Sequence, residues 1–286
     1  MNSLTLFRNL SAKGRWLAAA TFYLVMLLHS SPGESAKRDA VAVLSYNILY
    51  DDPKRWGPDY VWAKRKAAVG QLLAAHPADV LGFQEMTAGQ QADIATMLGE
   101  DFLVINPFEG QEKPPRIMNI TFVRKTRFEV VARGKLELPS DVNERHGTWV
   151  TLKEIASGKV MHYLNLHLSV RSPEQRRDSF AAIGSFLNGL GQEPVVISGD
   201  FNSTRKLVAA QSAPLGLSFA KDESASPPPE VSGTKVNRKT QELEPKELDH
   251  ILIRNISHVR SYSILDDRFD GRYPSDHLPV FTVLEP

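Results

Sequence analysis

Short apolar runs of strand length recur from residue 41 to the end of the chain, with helical stretches between them. This alternation restricts the possible folds more than any other property of the sequence, because the length and β-branched content of the runs are typical of strands. The predicted strands cover residues 41–49, 79–85, 117–123, 128–134, 148–155, 160–168, 194–200, 248–253, 259–265 and 279–284. Since no break in composition divides the chain, we predict one α/β domain in which helices cover two stacked sheets.

Periodicity and capping signals predict helices over residues 61–75, 87–98 and 172–191. The first is amphipathic, and its basic residues 64–66 are expected to point toward water. The second and third begin with capping boxes. Residues 221–247 are polar and rich in proline. We predict a long loop there, and loops of that length in folded domains are usually functional or mobile.

The first 36 residues differ in character from the rest. An apolar run at 16–28 follows Arg8, Lys13 and Arg15. A short apolar run behind a basic flank is typical of a secretory signal and is too short to span a bilayer comfortably. We expect residues 1–36 to be a signal peptide or an uncleaved N-terminal membrane anchor, with a buried helix as a third interpretation. Residues 37–286 would then form the folded domain of an exported protein, periplasmic or secreted.

Composition limits the chemistry available to the chain. It contains no cysteine, which excludes a disulfide framework, thiolate metal ligands and a cysteine nucleophile. Any metal ion must therefore bind to oxygen or imidazole ligands. The formal net charge is +1, so the chain has no global positive charge with which to bind nucleic acid nonspecifically.

Polar side chains stand at the ends of several predicted strands, which is where α/β proteins build their sites. They are Asn47, Glu85, His167, Asp200, Asn202, Asp249, His250 and the segment 275–277. Taken singly, each is also explained as a turn residue, a helix cap or a satisfied core residue. Taken together, they predict a hard metal site with imidazoles beside it, which is the combination that phosphate ester hydrolysis requires.

Six short motifs follow one another in the order "SYNIL", "GFQE", "NLHL", "GDFN", "LDHILI" and "SDHLPV". This series resembles the endonuclease/exonuclease/phosphatase superfamily, which has the deoxyribonuclease I-like fold. The resemblance covers residues 41–286. It implies a four-layered sandwich of two mixed β-sheets flanked by helices, with residues 37–286 as the catalytic domain of a metal-dependent phosphoric ester hydrolase.

The resemblance also implies a metal site. Asn47 and Glu85 match the N-terminal metal-site pair of the superfamily, with Glu85 as the direct ligand. Asp276 matches a carboxylate that either reaches the metal or orients an imidazole. The implied cofactor is Mg²⁺, with Mn²⁺ as the alternative.

Catalytic roles follow from the same comparison. Asp200 and Asn202 would hold the attacking water and a phosphate oxygen, and His277 would act as the base. His167 would stabilise or protonate the departing oxygen, and Asp249 is expected to orient His167. Two histidines with separate carboxylate partners can hold different protonation states near neutral pH.

Other positions are less well matched. Arg145 fits the position of a phosphate-contacting arginine, with His146 and Arg133 as alternatives. Leu49 stands where some branches carry a second carboxylate, which argues against the metal arrangement of apurinic endonucleases. The strand-end His167 excludes the branch that has tyrosine there. Around residues 117–123 no acid is present to orient His277, so that partner is missing or comes from elsewhere.

The sequence alone does not identify the substrate. Trp56, Tyr60 and Trp62 could form a stacking surface for nucleic acid, although Trp62 is also explained as a core residue. The basic runs 113–116, 124–127 and 176–177 could contact phosphates or be solvated surface charge. The leading interpretation is a phosphodiesterase or nuclease, followed by a phosphatase or phospholipase-type hydrolase of a lipid headgroup or small phosphate ester. A noncatalytic binding protein is the third interpretation. We expect a monomer, with membrane association only through the N-terminal segment.

Overall fold

The computed structural model describes residues 40–140, 145–226 and 231–286. The predicted signal segment 1–36 lies outside the described residues. The strands in chain order are β1 (Val41–Asn47), β2 (Val80–Met86), β3 (Phe102–Ile105), β4 (Met118–Arg124), β5 (Phe128–Glu137), β6 (His146–Glu154), β7 (Val160–His167), β8 (Val195–Asp200), β9 (Ser218–Phe219), β10 (Lys235–Val236), β11 (Leu243–Glu244), β12 (Asp249–Arg254), β13 (His258–Ile264) and β14 (Val280–Glu285). The α-helices are α1 (Pro53–Trp56), α2 (Trp62–Ala75), α3 (Ala88–Leu98), α4 (Pro173–Asn188) and α5 (Arg205–Ser212).

Two six-stranded mixed sheets form the centre of the molecule. The first has the strand order β13-β14-β1-β2-β4-β3, and the second has the order β5-β6-β7-β8-β12-β9. Each sheet contains one parallel pair, β1 with β2 and β7 with β8, among antiparallel neighbours. The remaining strands, β10 and β11, pair as a small ribbon inside the predicted loop 221–247.

Three apolar clusters define the layers. Val43 and Val80 of the first sheet pack with Val150 and Val196 of the second in one cluster between the sheets. A second cluster joins α2 and α3 to the outer face of the first sheet. A third joins α4 and α5 to the outer face of the second sheet. The predicted four-layered sandwich is therefore confirmed.

The contact between the sheets also contains buried polar groups. Gln84 of β2 donates to the side-chain oxygen of Asn165 on β7 at 2.7 Å. The Asn165 amide nitrogen donates to the carbonyls of Phe83 and Ile120 in the opposite sheet. A β-carbon at Gly82 would lie 2.1 Å from the Tyr163 hydroxyl, so the absence of a side chain permits this close approach. Because buried polar groups are costly when unpaired, these bonds favour one relative placement of the two sheets.

Local predictions agree with the structure where capping or periodicity was strong. Thr87 and Gln90 form the predicted capping box of α3, and Ser172 accepts from the Gln175 backbone at the start of α4. The helix α4 ends at Asn188, before the predicted limit of 191. The short elements α1, β3, β9 and α5 were not predicted. Within the described residues, no helix has both the length and the apolar character needed to cross a bilayer.

Candidate active site

Strand register brings three of the predicted site residues side by side. In the parallel pair β7–β8, His167 lies opposite Asp200. In the antiparallel pair β8–β12, Asp200 lies opposite Asp249. Gly199 makes this ending of β8 possible, because its φ is 150° and a β-carbon there would lie 1.9 Å from the Leu166 carbonyl oxygen. Asp200 thus stands between an imidazole and a second carboxylate.

Asp200 is 1% exposed, and both of its oxygens accept hydrogen bonds. The Asn47 amide donates to Oδ2 at 3.0 Å, and the Asn202 backbone donates to Oδ1 at 2.8 Å. The Nε2 atoms of His167 and His277 lie 3.4 and 3.6 Å from Oδ2. Burial raises the pKa of Asp200, although the His277 charge opposes the rise. The carboxylate is the shared neighbour of both histidines.

His277 is oriented by Asp249, which corrects the expectation that Asp249 orients His167. His277 Nδ1 lies 2.8 Å from Asp249 Oδ2, and the Thr234 hydroxyl donates to the same oxygen at 2.6 Å. The orienting acid that could not be found around 117–123 is therefore Asp249 on β12. Asp276 was considered as the acid that orients an imidazole, but its Oδ2 contacts Lys235.

The neighbours of His277 favour different protonation states of its ring. Burial lowers its pKa, but Asp249 and Asp200 outweigh burial and raise the pKa to about 9. Lys235 Nζ lies 3.1 Å from His277 Nε2, and an ammonium donates there only to a neutral ring. A ring held between its two states is suited to proton transfer.

His167 is in a different electrostatic setting. Arg145 Nη1 lies 2.6 Å from His167 Nδ1. Because a guanidinium only donates, Nδ1 must accept and the ring proton must be on Nε2, facing Asp200. Burial and the Arg145 charge lower the pKa of His167 well below its ordinary value. His167 is therefore neutral near pH 7, which suits hydrogen-bond donation rather than delivery of a proton from an imidazolium.

The three candidates for a phosphate-contacting residue, Arg145, His146 and Arg133, lie in different places. Arg145 is at the site, together with His167. His146 is buried on β6, where its Nε2 accepts from the Asn119 backbone. Arg133 lies near exposed Glu109, with 3.5 Å between Nη2 and Oε2. Of the three candidates, Arg145 and His146 line a small recess beside Glu85 and His167, but only Arg145 lines the larger cleft.

The cleft has a volume of about 550 Å³. Its walls combine the predicted residues Glu85, Arg145, His167, Asp200, Asn202, Asp276 and His277 with Leu49, Tyr50, Arg55, Trp56, Ile117, Ser169, Val170, Arg171, Lys235 and Arg238. Asn47 is fully buried behind the cleft and reaches it through Asp200. The arrangement therefore places the predicted catalytic and metal-site residues on the cleft wall or in contact with it. His250 does not line the cleft; its ring lies against Phe201 and Phe219 and its Nε2 is 3.2 Å from the Ser203 carbonyl.

Backbone strain is concentrated at this site. Leu49, Glu85 and Asn202 have φ values of 57°, 59° and 48°. Residues other than glycine adopt such values at a cost of about 1–3 kcal/mol, and they often do so at functional sites. The strain at Glu85 occurs where the β2–β4 pairing changes register.

Three important residues were missed or misplaced by the sequence analysis. Lys235 lies on the ribbon β10 with Nζ 2.9 Å from Asp276 Oδ2, and Arg238 lies close behind it in the chain. Arg65 was expected to point toward water but is 4% exposed. Its guanidinium donates to the carbonyls of Ile48, Leu49, Tyr60 and Pro274. Arg65 therefore joins the segment after Asn47 to the segment before Asp276.

The predicted stacking surface is not available. Trp62 and Tyr60 are 6% and 3% exposed, and Trp62 belongs to the core under α2. Trp56 does line the cleft, but the guanidinium carbons of Arg55 and Arg238 lie 4.5 and 4.1 Å from its ring centroid. Two of the three rings are buried, and the third is already covered by cations.

The donor set fits a hard divalent cation. Glu85 has one weak hydrogen bond, from the Tyr50 backbone at 3.4 Å, and its pKa is raised by burial and by the charge of Asp276. A carboxylate under-satisfied in this way favours a bound cation. Among the described residues, Asp249 Oδ1 is buried without a hydrogen-bond partner. A second group of possible ligands is formed by Asp200, Asp249 and His277, whose donor atoms lie within 4.8 Å of one another.

A four-layered sandwich with buried carboxylates and two imidazoles at one end of its sheets defines a phosphoric ester hydrolase of the deoxyribonuclease I-like class. The model of the Endonuclease/Exonuclease/phosphatase family matches residues 44–277. The chain belongs to this family, whose members are phosphoric ester hydrolases and generally depend on divalent metals.

Solved structures agree with this fold. The chain is similar to an endonuclease/exonuclease/phosphatase family protein from Bacteroides thetaiotaomicron, at 24% identity and a TM-score of 0.77 over 86% of this chain and 97% of that one. It is also similar to a mannosyl-6-phosphatase from the same species, at 23% identity and a TM-score of 0.76 over 85% and 99%. A D. rerio TDP2 complexed with a single-strand DNA product matches at 15% identity and 0.69 over 86% and 99%. A search of curated proteins gives no match.

Proposed function

We propose that this enzyme hydrolyses a phosphate ester of a small polar compound by attack of water. The observation that carries the proposal is the placement of Asp200, whose Oδ2 lies 3.4 Å from His167 Nε2 and 3.6 Å from His277 Nε2. One carboxylate between two imidazoles in different electrostatic settings provides both a base for the attacking water and a donor for developing charge.

The base in this proposal is His277. Asp249 fixes its Nδ1 side at 2.8 Å, so Nε2, which lies 3.1 Å from Lys235 Nζ, is the atom that accepts the proton from water when the ring is neutral. Asp200 and Asn202 position that water and a phosphate oxygen. General base catalysis of this kind contributes roughly 10²–10⁴ in rate.

Negative charge that develops on the phosphate would be met by Arg145 and His167. Their contact of 2.6 Å holds His167 with its Nε2 proton in the direction of Asp200 and the cleft. His167 then acts by donating a hydrogen bond to a phosphate or leaving oxygen. The sequence analysis left two roles for His167, to stabilise or to protonate the departing oxygen, and this proposal keeps the first.

Glu85 and Asp276 would hold a divalent cation, Mg²⁺ or Mn²⁺, with Asn47 supporting the site through Asp200. Such a cation polarises phosphoryl oxygens and neutralises charge that develops on them. Asp276 is already near two cations, Lys235 at 2.9 Å and Arg238 at 3.8 Å. We infer that the Asp276 carboxylate would contact the metal as well as Lys235 and Arg238.

A small ester fits the cleft better than nucleic acid. Arg124 and Arg127 from one predicted phosphate-binding run are paired with Asp79 and Glu154, and the predicted aromatic surface is buried or covered. A phosphodiester is the second candidate, because exposed Val170 and Arg171 line the cleft where a second ester arm could lie.

The test is hydrolysis of a panel of substrates by the purified protein with and without EDTA, measured as inorganic phosphate for the monoesters and as the released alcohol or phosphomonoester for the diesters. The panel contains sugar phosphates, glycerol 3-phosphate, bis(p-nitrophenyl) phosphate, DNA, RNA, sphingomyelin and phosphoinositides, each with Mg²⁺ or Mn²⁺. We expect metal-dependent hydrolysis of soluble monoesters, lost in His277→Ala. Hydrolysis confined to nucleic acid would contradict the small-ester proposal and favour the second candidate.

A further inference from the structure

The cationic side chains of the cleft outnumber its carboxylates. The cations are Arg55, Arg145, Arg171, Lys235 and Arg238, and the carboxylates are Glu85, Asp200 and Asp276. These cations are not distributed evenly. Arg145 contacts His167 and Lys235 contacts Asp276 and His277, so both belong to the reaction centre. Arg55 and Arg238 instead meet at Trp56, which requires a separate explanation.

Arg238 has an unused donor at this position. Its Nη1 atom is buried and has no hydrogen-bond partner among the described residues. The carboxylate oxygen near it is Asp276 Oδ2 at 3.8 Å, beyond hydrogen-bond distance, and that oxygen already contacts Lys235 at 2.9 Å. An unpaired buried guanidinium nitrogen is costly, and an anion in the cleft would satisfy it.

Arg55 lies over the same Trp56 ring as Arg238 and is not paired with an acid among the described residues. Its Nη1 donates to the Tyr50 hydroxyl at 2.7 Å. No ion pair joins Arg55 to a carboxylate within the described part of the chain. Trp56 is itself fixed by a bond of 3.0 Å from Nε1 to the Tyr50 carbonyl. The indole thus lies near two guanidinium groups that both line the cleft, and an anion bound there would offset their positive charge.

We propose that Arg55, Trp56 and Arg238 form a second anion subsite, which binds a phosphate or carboxylate group on the organic part of the substrate. This proposal rests on the proposed function, since it describes how the same cleft selects among phosphate monoesters. The preferred substrate then carries two anionic groups, one at the reaction centre and one at Trp56. The second group is not changed by the reaction, and its binding energy orients the ester.

Matched substrates test the subsite through kinetics. Glycerol 3-phosphate has one anionic group, 3-phosphoglycerate adds a carboxylate, and glycerate 2,3-bisphosphate adds a carboxylate and a second phosphate. We expect kcat/KM to be higher for the two substrates with additional anions. Arg55→Gln should lower kcat/KM for the preferred substrate by about 10- to 100-fold, the range for a charge-assisted hydrogen bond. The same change should lower kcat/KM for glycerol 3-phosphate less than about threefold.

Arg116→Gln is the matched control. This arginine also lies over an aromatic ring, with its guanidinium carbon 5.3 Å from the Tyr50 centroid, but its side chain is 62% exposed and does not line the cleft. It should leave the substrate preference unchanged. Equal losses on all three substrates in Arg55→Gln, or no preference in the wild-type enzyme, would overturn the subsite.

Binding of non-hydrolysable probes separates failure of the subsite from failure of the proposed function. Calorimetry at fixed free Mg²⁺ compares methylphosphonate with alkane bisphosphonates of increasing chain length. At least one bisphosphonate should bind about tenfold or more tightly than methylphosphonate, and Arg238→Gln and Arg55→Gln should each remove most of that advantage. If no monoester is hydrolysed but this pattern holds, the subsite stands and the proposed reaction fails. If no bisphosphonate binds more tightly, the subsite is wrong whatever the activity.

Discussion

Asp200 and Asp249 are neighbouring carboxylates whose hydrogen-bond partners give them different roles in the site. Asp200 accepts from Asn47 and from the Asn202 backbone, while Asp249 accepts from Thr234 and contacts His277. The two residues lie opposite each other on β8 and β12. The sequence indicates both acids because each stands at the boundary of an apolar run. It does not indicate which histidine each acid contacts. That pairing depends on the loop that carries His277, which follows Asp249 by 28 residues.

At the residue scale, we predict that Asp249→Asn lowers turnover by roughly a hundredfold or more. The change removes the charge that favours His277 as a proton acceptor, and general base catalysis contributes roughly 10²–10⁴. Steady-state kinetics with the best monoester measures the effect.

Thr234→Val is the comparison variant for this experiment, because it removes the hydroxyl bond to Asp249 Oδ2 while leaving the carboxylate. It should cost less turnover than Asp249→Asn. Normal turnover in Asp249→Asn would show that the Asp249–His277 contact has no role in the reaction.

At the scale of elements, Arg65 links α2 to two segments of the site. Its guanidinium donates to carbonyls on both sides, at Ile48 and Leu49 and at Pro274. A basic run on an amphipathic helix normally predicts a solvated face, and the neighbouring Lys64 does remain exposed. Arg65 differs because the carbonyls that it satisfies belong to loops whose positions the local sequence does not specify.

We predict that Arg65→Ala lowers the free energy of unfolding by about 3–5 kcal/mol, because it leaves buried carbonyls without donors. Arg65→Lys should recover part of the loss, since an ammonium has fewer donors than the planar guanidinium. Urea unfolding measures both variants. Lys64→Gln, one position away and exposed, should change the free energy by less than about 0.5 kcal/mol. An equally small change in Arg65→Ala would contradict the structural role.

Glu247 connects the end of the long 221–247 segment to β12 and gives a prediction for pH. Burial opposes its ionisation, but the nearby His250 ring, with Nδ1 3.7 Å from Oε1, and the Lys221 ammonium, which donates to Oε2 at 2.7 Å, lower its pKa to about 2, from an ordinary 4.5. A depressed pKa in the folded state stabilises the protein above the unfolded value, and this stability is lost as pH falls from about 4.5 toward 2.

Glu247→Gln should therefore be less stable than the wild type at pH 7, and the difference should shrink below about pH 4.5. Thermal unfolding at pH 7, 5, 4 and 3 measures it. Glu223→Gln serves as the matched exposed acid and should show no such convergence. A difference that stays constant across this range would mean that Glu247 does not titrate as the structure indicates.

At the scale of the whole molecule, the sequence predicts the layered architecture because strand and helix patterns alternate clearly and the six motifs occur in order. The positions of Lys235 and Arg238 could not be predicted in the same way. They lie in a polar, proline-rich segment without periodicity, and they reach the cleft because the ribbon β10–β11 places them beside Asp276. The stacking prediction for Trp56, Tyr60 and Trp62 failed for a related reason: sequence does not show which aromatic rings the core will bury.

Export remains a prediction, based on the apolar run at 16–28 and its basic flank. The strand β1 begins at Val41 and Ala40 is already buried, so cleavage near residue 36 would leave β1 intact. Cell fractionation and sequencing of the amino terminus measure the outcome. We expect exported protein, with an amino terminus close to residue 37 if the segment is a cleaved signal. Cytosolic soluble protein with an intact Met1 would exclude export.

The central claim is that Asp200 and His277 act as one catalytic unit, and a double-mutant cycle tests it most directly. Turnover and thermal unfolding are measured for the wild type, Asp200→Asn, His277→Ala and the double variant. We predict that Asp200→Asn lowers turnover by roughly a hundredfold or more, and that the double variant loses much less than the product of the two single losses. The melting temperature of Asp200→Asn should fall little, since the change keeps the volume of the side chain and empties no packed cavity. Unfolding of Asp200→Asn with normal turnover in the remaining folded fraction would instead show that the carboxylate is structural.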